Sequence, residues 1–146
     1  MKLAFGCDPN ATALKRLLMT EATELGHEVV DYPSEDPVYA NVAIRVAQDV
    51  VAGRADRGVL LCGTGIGVSI AANKVPGAYC ACITDAYQAQ RAARSNDANL
   101  ISMGSQVVGP ETAKVLLREY LGGVFDAASR SAPKVDRIRD YEATGV

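Results

Sequence analysis

The sequence predicts an α/β fold: a three-layer α/β/α sandwich around a five-stranded parallel sheet of order 2-1-3-4-5. Three observations predict it. Short apolar runs alternate with segments of helical periodicity, the pattern of a parallel sheet covered on both faces. The run Val59-Leu60-Leu61-Cys62 is continuous rather than alternating, as a central buried strand requires. The 146 residues are 49% hydrophobic and 22% charged, enough for one domain with a core that needs no disulfide or metal staple.

Each element has its own signal. Lys2 to Gly6 is the first apolar run. Asn10 or Thr12 can cap a helix that places Leu14, Leu17, Leu18 and Leu25 on one face and ends at Gly26. Glu28 to Tyr32 reads as the second strand, and Pro33 and Pro37 punctuate the loop after it. From Tyr39 to Ala52, Val42, Val46 and Val50 recur at helical spacing beside Ala43 and Ala47. Gly58 to Cys62 is the third strand. Gly63-Thr64-Gly65-Ile66-Gly67 then leads into a short helix over Val68 to Lys74. Tyr79 to Ile83 is the fourth strand, Asp85 caps a helix carrying Tyr87 to Arg94, and Asn99 to Met103 is the fifth strand. Pro110 opens a helix whose buried face is marked by Val115, Leu116 and Leu121. A polar tail follows from Asp126, with a terminal helix from Pro133 to about Glu142. Right-handed crossovers and a count of five strands favour the order given above.

Composition excludes several function classes. Lys and Arg number 15 against 17 Asp and Glu, a net charge of -2, which does not suit a partner held by phosphate neutralisation such as nucleic acid. No apolar run is long enough to span a membrane. The four cysteines, Cys7, Cys62, Cys80 and Cys82, form no CxxC pair. With no secretory leader they read as reduced thiols of a cytoplasmic protein. His27 is the single histidine, which excludes metal sites built on two imidazoles and disfavours a histidine-based dyad.

In the predicted order the first and third strands are neighbours at the switch point, where open α/β sheets bind ligands beyond the strands' carboxyl ends. Cys7-Asp8 and Cys62-Gly63-Thr64-Gly65 stand there. The glycine-rich strand-to-helix turn aims free N–H groups at an anion such as a phosphate, a carboxylate or a developing enediolate; a tight turn without a ligand is the bland alternative. The spacing is GxGxG after the third strand, unlike a dinucleotide fingerprint. Free N–H groups beside Cys62 stabilise a thiolate, the form that acts as base or nucleophile; the alternative is a small buried hydrophobe. Asp8 is either a ligand for substrate hydroxyls or a helix cap. Arg130, Lys134, Arg137 and Arg139 are either a phosphate clamp or a solvated face. Cys7, Cys80 and Cys82 read as structural, and His27 as a surface residue.

Asp8 after the first strand, the Cys62–Gly67 loop, Ala71-Ala72-Asn73-Lys74-Val75-Pro76-Gly77 and Ser95-Asn96-Asp97-Ala98-Asn99 together resemble the ribose-5-phosphate isomerase B / galactose-6-phosphate isomerase family, over essentially the whole chain. The resemblance implies a Rossmann-like fold and a homodimer, sometimes paired into a tetramer, with active sites at the subunit interface. It implies aldose–ketose isomerisation of a sugar phosphate through a cis-enediolate, with no metal and no cofactor. By position, Cys62 matches the catalytic base. Thr64 and the backbone N–H groups of Gly63, Gly65, Ile66 and Gly67 match the anion hole. Asp8 and Tyr39 match hydroxyl contacts, Asn96 a contact donated across the dimer, Ser95 a substrate-site position, and Arg130 and Lys134 the phosphate cations. The tail from about 124 to 146 would pack on the partner.

Three departures bear on substrate. Asp8 is followed by Pro9 where the family has histidine, Ser95 replaces the histidine that opens a furanose ring, and Gln106 replaces an arginine after the fifth strand. A furanose needs acid–base ring opening before isomerisation. A tetrose 4-phosphate has no free hydroxyl that can close a five-membered ring, so it needs no ring opener. The pattern Ala-x-Ser-Asn-x-Ala-x-x-Ile-x-Met-Gly, Ala93 to Gly104, also resembles the branch acting on erythrulose 4-phosphate. Ribose 5-phosphate isomerisation and a non-catalytic sugar-phosphate-binding module are the alternatives.

Overall fold

A computed structural model describes residues 1–146. The chain runs β1 (Lys2–Cys7), α1 (Thr12–Glu24), β2 (Glu28–Asp31), α2 (Tyr39–Val51), β3 (Arg57–Cys62), α3 (Ile66–Ala72), β4 (Cys80–Cys82), α4 (Ala86–Asn96), β5 (Leu100–Gly104), α5 (Pro110–Leu121) and α6 (Ala132–Thr144). All strand pairs are parallel. Strand alternation splits the core in two. Leu3, Phe5, Cys7, Val59, Leu61, Ile101 and Met103 face α1, α4 and α5. Ala4, Leu60, Cys62 and Leu100 face α2 and α3. The three-layer sandwich stands as the sequence predicts.

The strand order does not. It is β2-β1-β3-β5-β4, with β5 between β3 and β4. The physical reason is burial. All five residues of β5 are buried, as a central strand must be, whereas β4 has three residues and ends on the exposed Cys82. So short a strand serves as an edge. Side chains hold it in place. Asn73 accepts from Cys80 N–H at 2.8 Å and donates to Cys80 C=O at 2.9 Å. Asn99 accepts from Tyr79 N–H at 2.8 Å and donates to Gly77 C=O at 2.8 Å. These two asparagines of the sequence signature are staples of the edge strand.

Two further expectations are corrected. Leu25 and Val115 are exposed, at 45% and 43%, because Leu25 closes α1 and Val115 turns away from the face made by Ala113, Leu116, Leu117 and Tyr120. Neither Asn10 nor Thr12 caps α1. A 3-10 turn, Pro9–Ala11, precedes the helix, and Asp8 caps that turn by accepting from Asn10 N–H at 3.0 Å. Asp85 does cap α4, accepting from Gln88 N–H at 2.8 Å.

Candidate active site

β1 and β3 end side by side, joined by Asp8 N–H donating to Leu61 C=O at 2.9 Å. The chain then turns sharply after Cys62. Gly65 adopts φ +79°, which a side chain would strain, and a Cβ there would lie 2.8 Å from the Met103 carbonyl carbon. Placing β5 beside β3 is what makes this glycine obligatory. Ser102 hydroxyl donates to Gly65 C=O at 2.8 Å, while Ser105 N–H and Gln106 N–H donate to Cys62 C=O and Gly63 C=O at 2.8 and 3.0 Å. The glycine turn is thus fastened to β5 and the turn after it. Ser102, Ser105 and Gln106 do this unforeseen, because only the true strand order brings them there.

Part of the turn faces solvent: Thr64 and Ile66 are exposed, Gly63 and Gly67 half-buried, while Val68 is fully buried. The first backbone bond of α3 is Ser69 N–H to Gly65 C=O, so the N–H groups of Gly67 and Val68 have no partner in the helix ladder. Cys62 is 5% exposed, and its Sγ accepts from Gly65 N–H at 3.1 Å. A backbone N–H aimed at sulfur supports negative charge on it. Thr64 is exposed beside it, and its hydroxyl accepts from Ile66 N–H at 3.3 Å. Tyr39, at the start of α2, packs directly on Gly67: a Cβ on that glycine would sit 2.4 Å from the Tyr39 hydroxyl. One side of Gly63 is flanked by Gln106 and Asn10, which line a cleft of about 390 Å³ with Leu14 and Leu17.

Asp8, Tyr39, Cys62, Thr64, Gly63, Gly65, Ile66 and Gly67 therefore lie at one edge of the sheet, at or beside one turn. Asp8 is both half-buried at the strand end and the cap of the following turn. Burial pushes the Cys7 thiol up from its ordinary value and the Cys80 thiol up to about 12. His27 lies before β2, its Nδ1 3.2 Å from the Met1 amino group, remote from this turn.

Ser95 and Asn96 stand apart from this turn, and no hydrogen bond or ion pair joins Arg130 or Lys134 to it. Helix α4 runs back along the sheet, so its last residues, Ser95 and Asn96, stand at the edge where strands begin. Ser95 hydroxyl accepts from Arg91, and Asn96 amide donates to Arg91 C=O at 3.0 Å. Arg130 and Lys134 are exposed at the start of α6. That helix also docks at the far edge, through Glu142 on Gly77 and Tyr79 and through Arg139 on Asp97.

Residues 3–138 match the family described as Ribose/Galactose Isomerase. The chain is 42% identical over 146 residues to D-erythrulose-4-phosphate isomerase of Pectobacterium atrosepticum, covering 97% of this chain and 95% of that one. It is also 42% identical over 145 residues to Ribose-5-P isomerase B of Listeria innocua, covering 97% of each. The solved structure of Clostridium thermocellum ribose-5-phosphate isomerase B superposes with a TM-score of 0.93 at 36% identity over 100% of both chains. The family match covers residues 3–138, nearly the whole chain, and the chain belongs to the ribose/galactose isomerase family.

Proposed function

We propose that this isomerase interconverts D-erythrulose 4-phosphate and D-erythrose 4-phosphate, with Cys62 as the base. Membership makes the chain an aldose–ketose isomerase of sugar phosphates. The observation that carries the mechanism is the Gly65 N–H to Cys62 Sγ bond at 3.1 Å, beside a Gly67 N–H with no partner in the helix ladder. The Cys62 thiolate takes a proton from C1 of the ketose, leaving a cis-enediolate. The Gly67 N–H and the Thr64 hydroxyl stabilise the oxyanion. The thiol returns the proton to C2, and the O1 proton is lost as the aldehyde forms. That exchange between oxygens falls to Thr64, Asp8 or water. Tyr39 and Asp8 hold the remaining hydroxyls.

The chain length follows from Ser95. A serine held by Arg91 is no acid–base group for opening a furanose, and an open-chain tetrulose needs none. The ribose 5-phosphate reading keeps a specific support, since a relative so named is as similar as one named for erythrulose 4-phosphate.

The phosphate end calls for a second copy of the chain. Asn96 stands at the end of α4, away from Cys62, and Arg130 and Lys134 make no hydrogen bond or ion pair with the Cys62 turn, so on this reading all three serve the Cys62 site of a partner copy. Ile66 and Ile70, beside the turn on α3, are 56% and 57% exposed and supply apolar surface for such a contact. Arg130→Ala is expected to raise KM about tenfold with little change in kcat, because phosphate binding is shared by ground and transition states. Steady-state kinetics check this, and an unchanged KM removes Arg130 from the site. Comparing D-erythrulose 4-phosphate with ribose 5-phosphate tests the substrate.

A further inference from the structure

Helix α6 is held to its own chain by little apolar contact: only Ala132 and Val135 are buried. Its polar contacts are more specific. Glu142 Oε2 accepts from Gly77 N–H at 3.0 Å and from the Tyr79 hydroxyl at 2.9 Å. The Arg139 guanidinium pairs with Asp97 and, at 3.3 Å, with Asp136. Asp97 is the residue directly after Asn96. It closes α4 at φ 49°, the only positive φ outside glycine. Asn99, two residues on, ties the same turn to Gly77 and Tyr79. The turn after α4, the loop before β4 and the last half of α6 are therefore one hydrogen-bonded block. Lys134 lies in the first turn of α6, at the other end from Glu142, and Arg130 stands two residues before the helix.

We infer that the Asp97–Arg139 pair and Glu142 form a latch that positions the tail cations and Asn96 as one unit. The inference rests on the proposed phosphate role of Arg130 and Lys134. With so little buried surface, the polar latch sets where the first turn of α6 points. A cation that must meet a phosphate gains affinity from being held in place beforehand. Asp97 and Arg139 are positioning residues, acting through the helix rather than on the substrate.

The test uses inorganic phosphate as a competitive inhibitor of the full-length enzyme, with Asp97→Asn, Arg139→Gln, Arg139→Lys and Arg130→Ala in parallel. Asparagine tolerates a left-handed φ, so Asp97→Asn removes the charge and keeps the turn. The inhibition constant and the sugar-phosphate KM are expected to rise about fivefold in both Asp97→Asn and Arg139→Gln, the upper end for an exposed ion pair. Turnover number should stay within about twofold, and Arg139→Lys should restore binding, which a general loss of stability would not give. Unchanged inhibition constants in both variants overturn the latch. A rise in Arg139→Gln alone also overturns it, since Arg139 would then touch the phosphate directly. If Arg130→Ala too leaves the constant unchanged, it is the phosphate reading that falls.

Discussion

Cys62→Ala is expected to lower kcat by about 10³-fold or more, in the range that a positioned base contributes. Folding should survive. The change deletes one sulfur from the core cluster that also holds Leu60, Val68 and Ala72, and no side chain hydrogen-bonds to that sulfur. A cost of about 1 kcal/mol is the scale for so small a loss. Cys62→Ser is the control for volume: it keeps a polar group but lacks a thiolate, and should be nearly as inactive. Matched kinetics and thermal unfolding check both. Retention of kcat within tenfold of the unmodified enzyme would remove Cys62 as base; the Cys7 and Cys80 thiols are buried, which pushes both up, away from the thiolate form.

Gly65→Ala carries the second large effect, on stability and catalysis together. At φ +79° an added Cβ is strained, and it lies 2.8 Å from the backbone of Met103, which cannot yield as a side chain would. Strain of about 1–2 kcal/mol from the left-handed conformation adds to overpacking of similar size. The turn must shift to relieve this, and the shift moves both the N–H that Sγ accepts and the donors meant for the oxyanion. A fall in kcat/KM of about 10²-fold is expected, the cost of losing one oxyanion donor. Gly26→Ala is the internal control. Its φ is +86° with nothing within 4 Å, so it should show strain alone, with activity intact. Equal activity in the two variants would mean that the turn geometry is not part of the chemistry.

Much of this site could be read before any coordinates, and the reasons are local. A strand ending in Cys62 and a glycine turn lie within six consecutive residues, so their proximity is built into the chain. Asp8 joined them because β1 and β3 are neighbours in either strand order. Tyr39 was reached through the resemblance, and its contact with Gly67 has a physical account only once α2 packs over the turn. What escaped was non-local. Ser102 and Gln106 touch the turn because β5 sits inside β4, and the cue was present in composition: Leu100–Gly104 buries every residue, while Cys80–Cys82 is too short for a centre strand. Leu25 and Val115 were misplaced because helical periodicity blurs at helix ends and at neighbouring angles. The latch on α6 had no sequence signal, since Arg139 and Asp97 are 42 residues apart and Glu142 meets backbone as much as side chain.

The functional reading turns on the missing ring opener. kcat/KM for D-erythrulose 4-phosphate and for ribose 5-phosphate, measured side by side on one preparation, tests it most directly. A preference for the tetrulose of about 10²-fold or more is expected, the scale of one lost acid–base group. A preference for ribose 5-phosphate would contradict the account, because some group other than the Ser95 position, or the spontaneously open sugar, would then be supplying the ring opening.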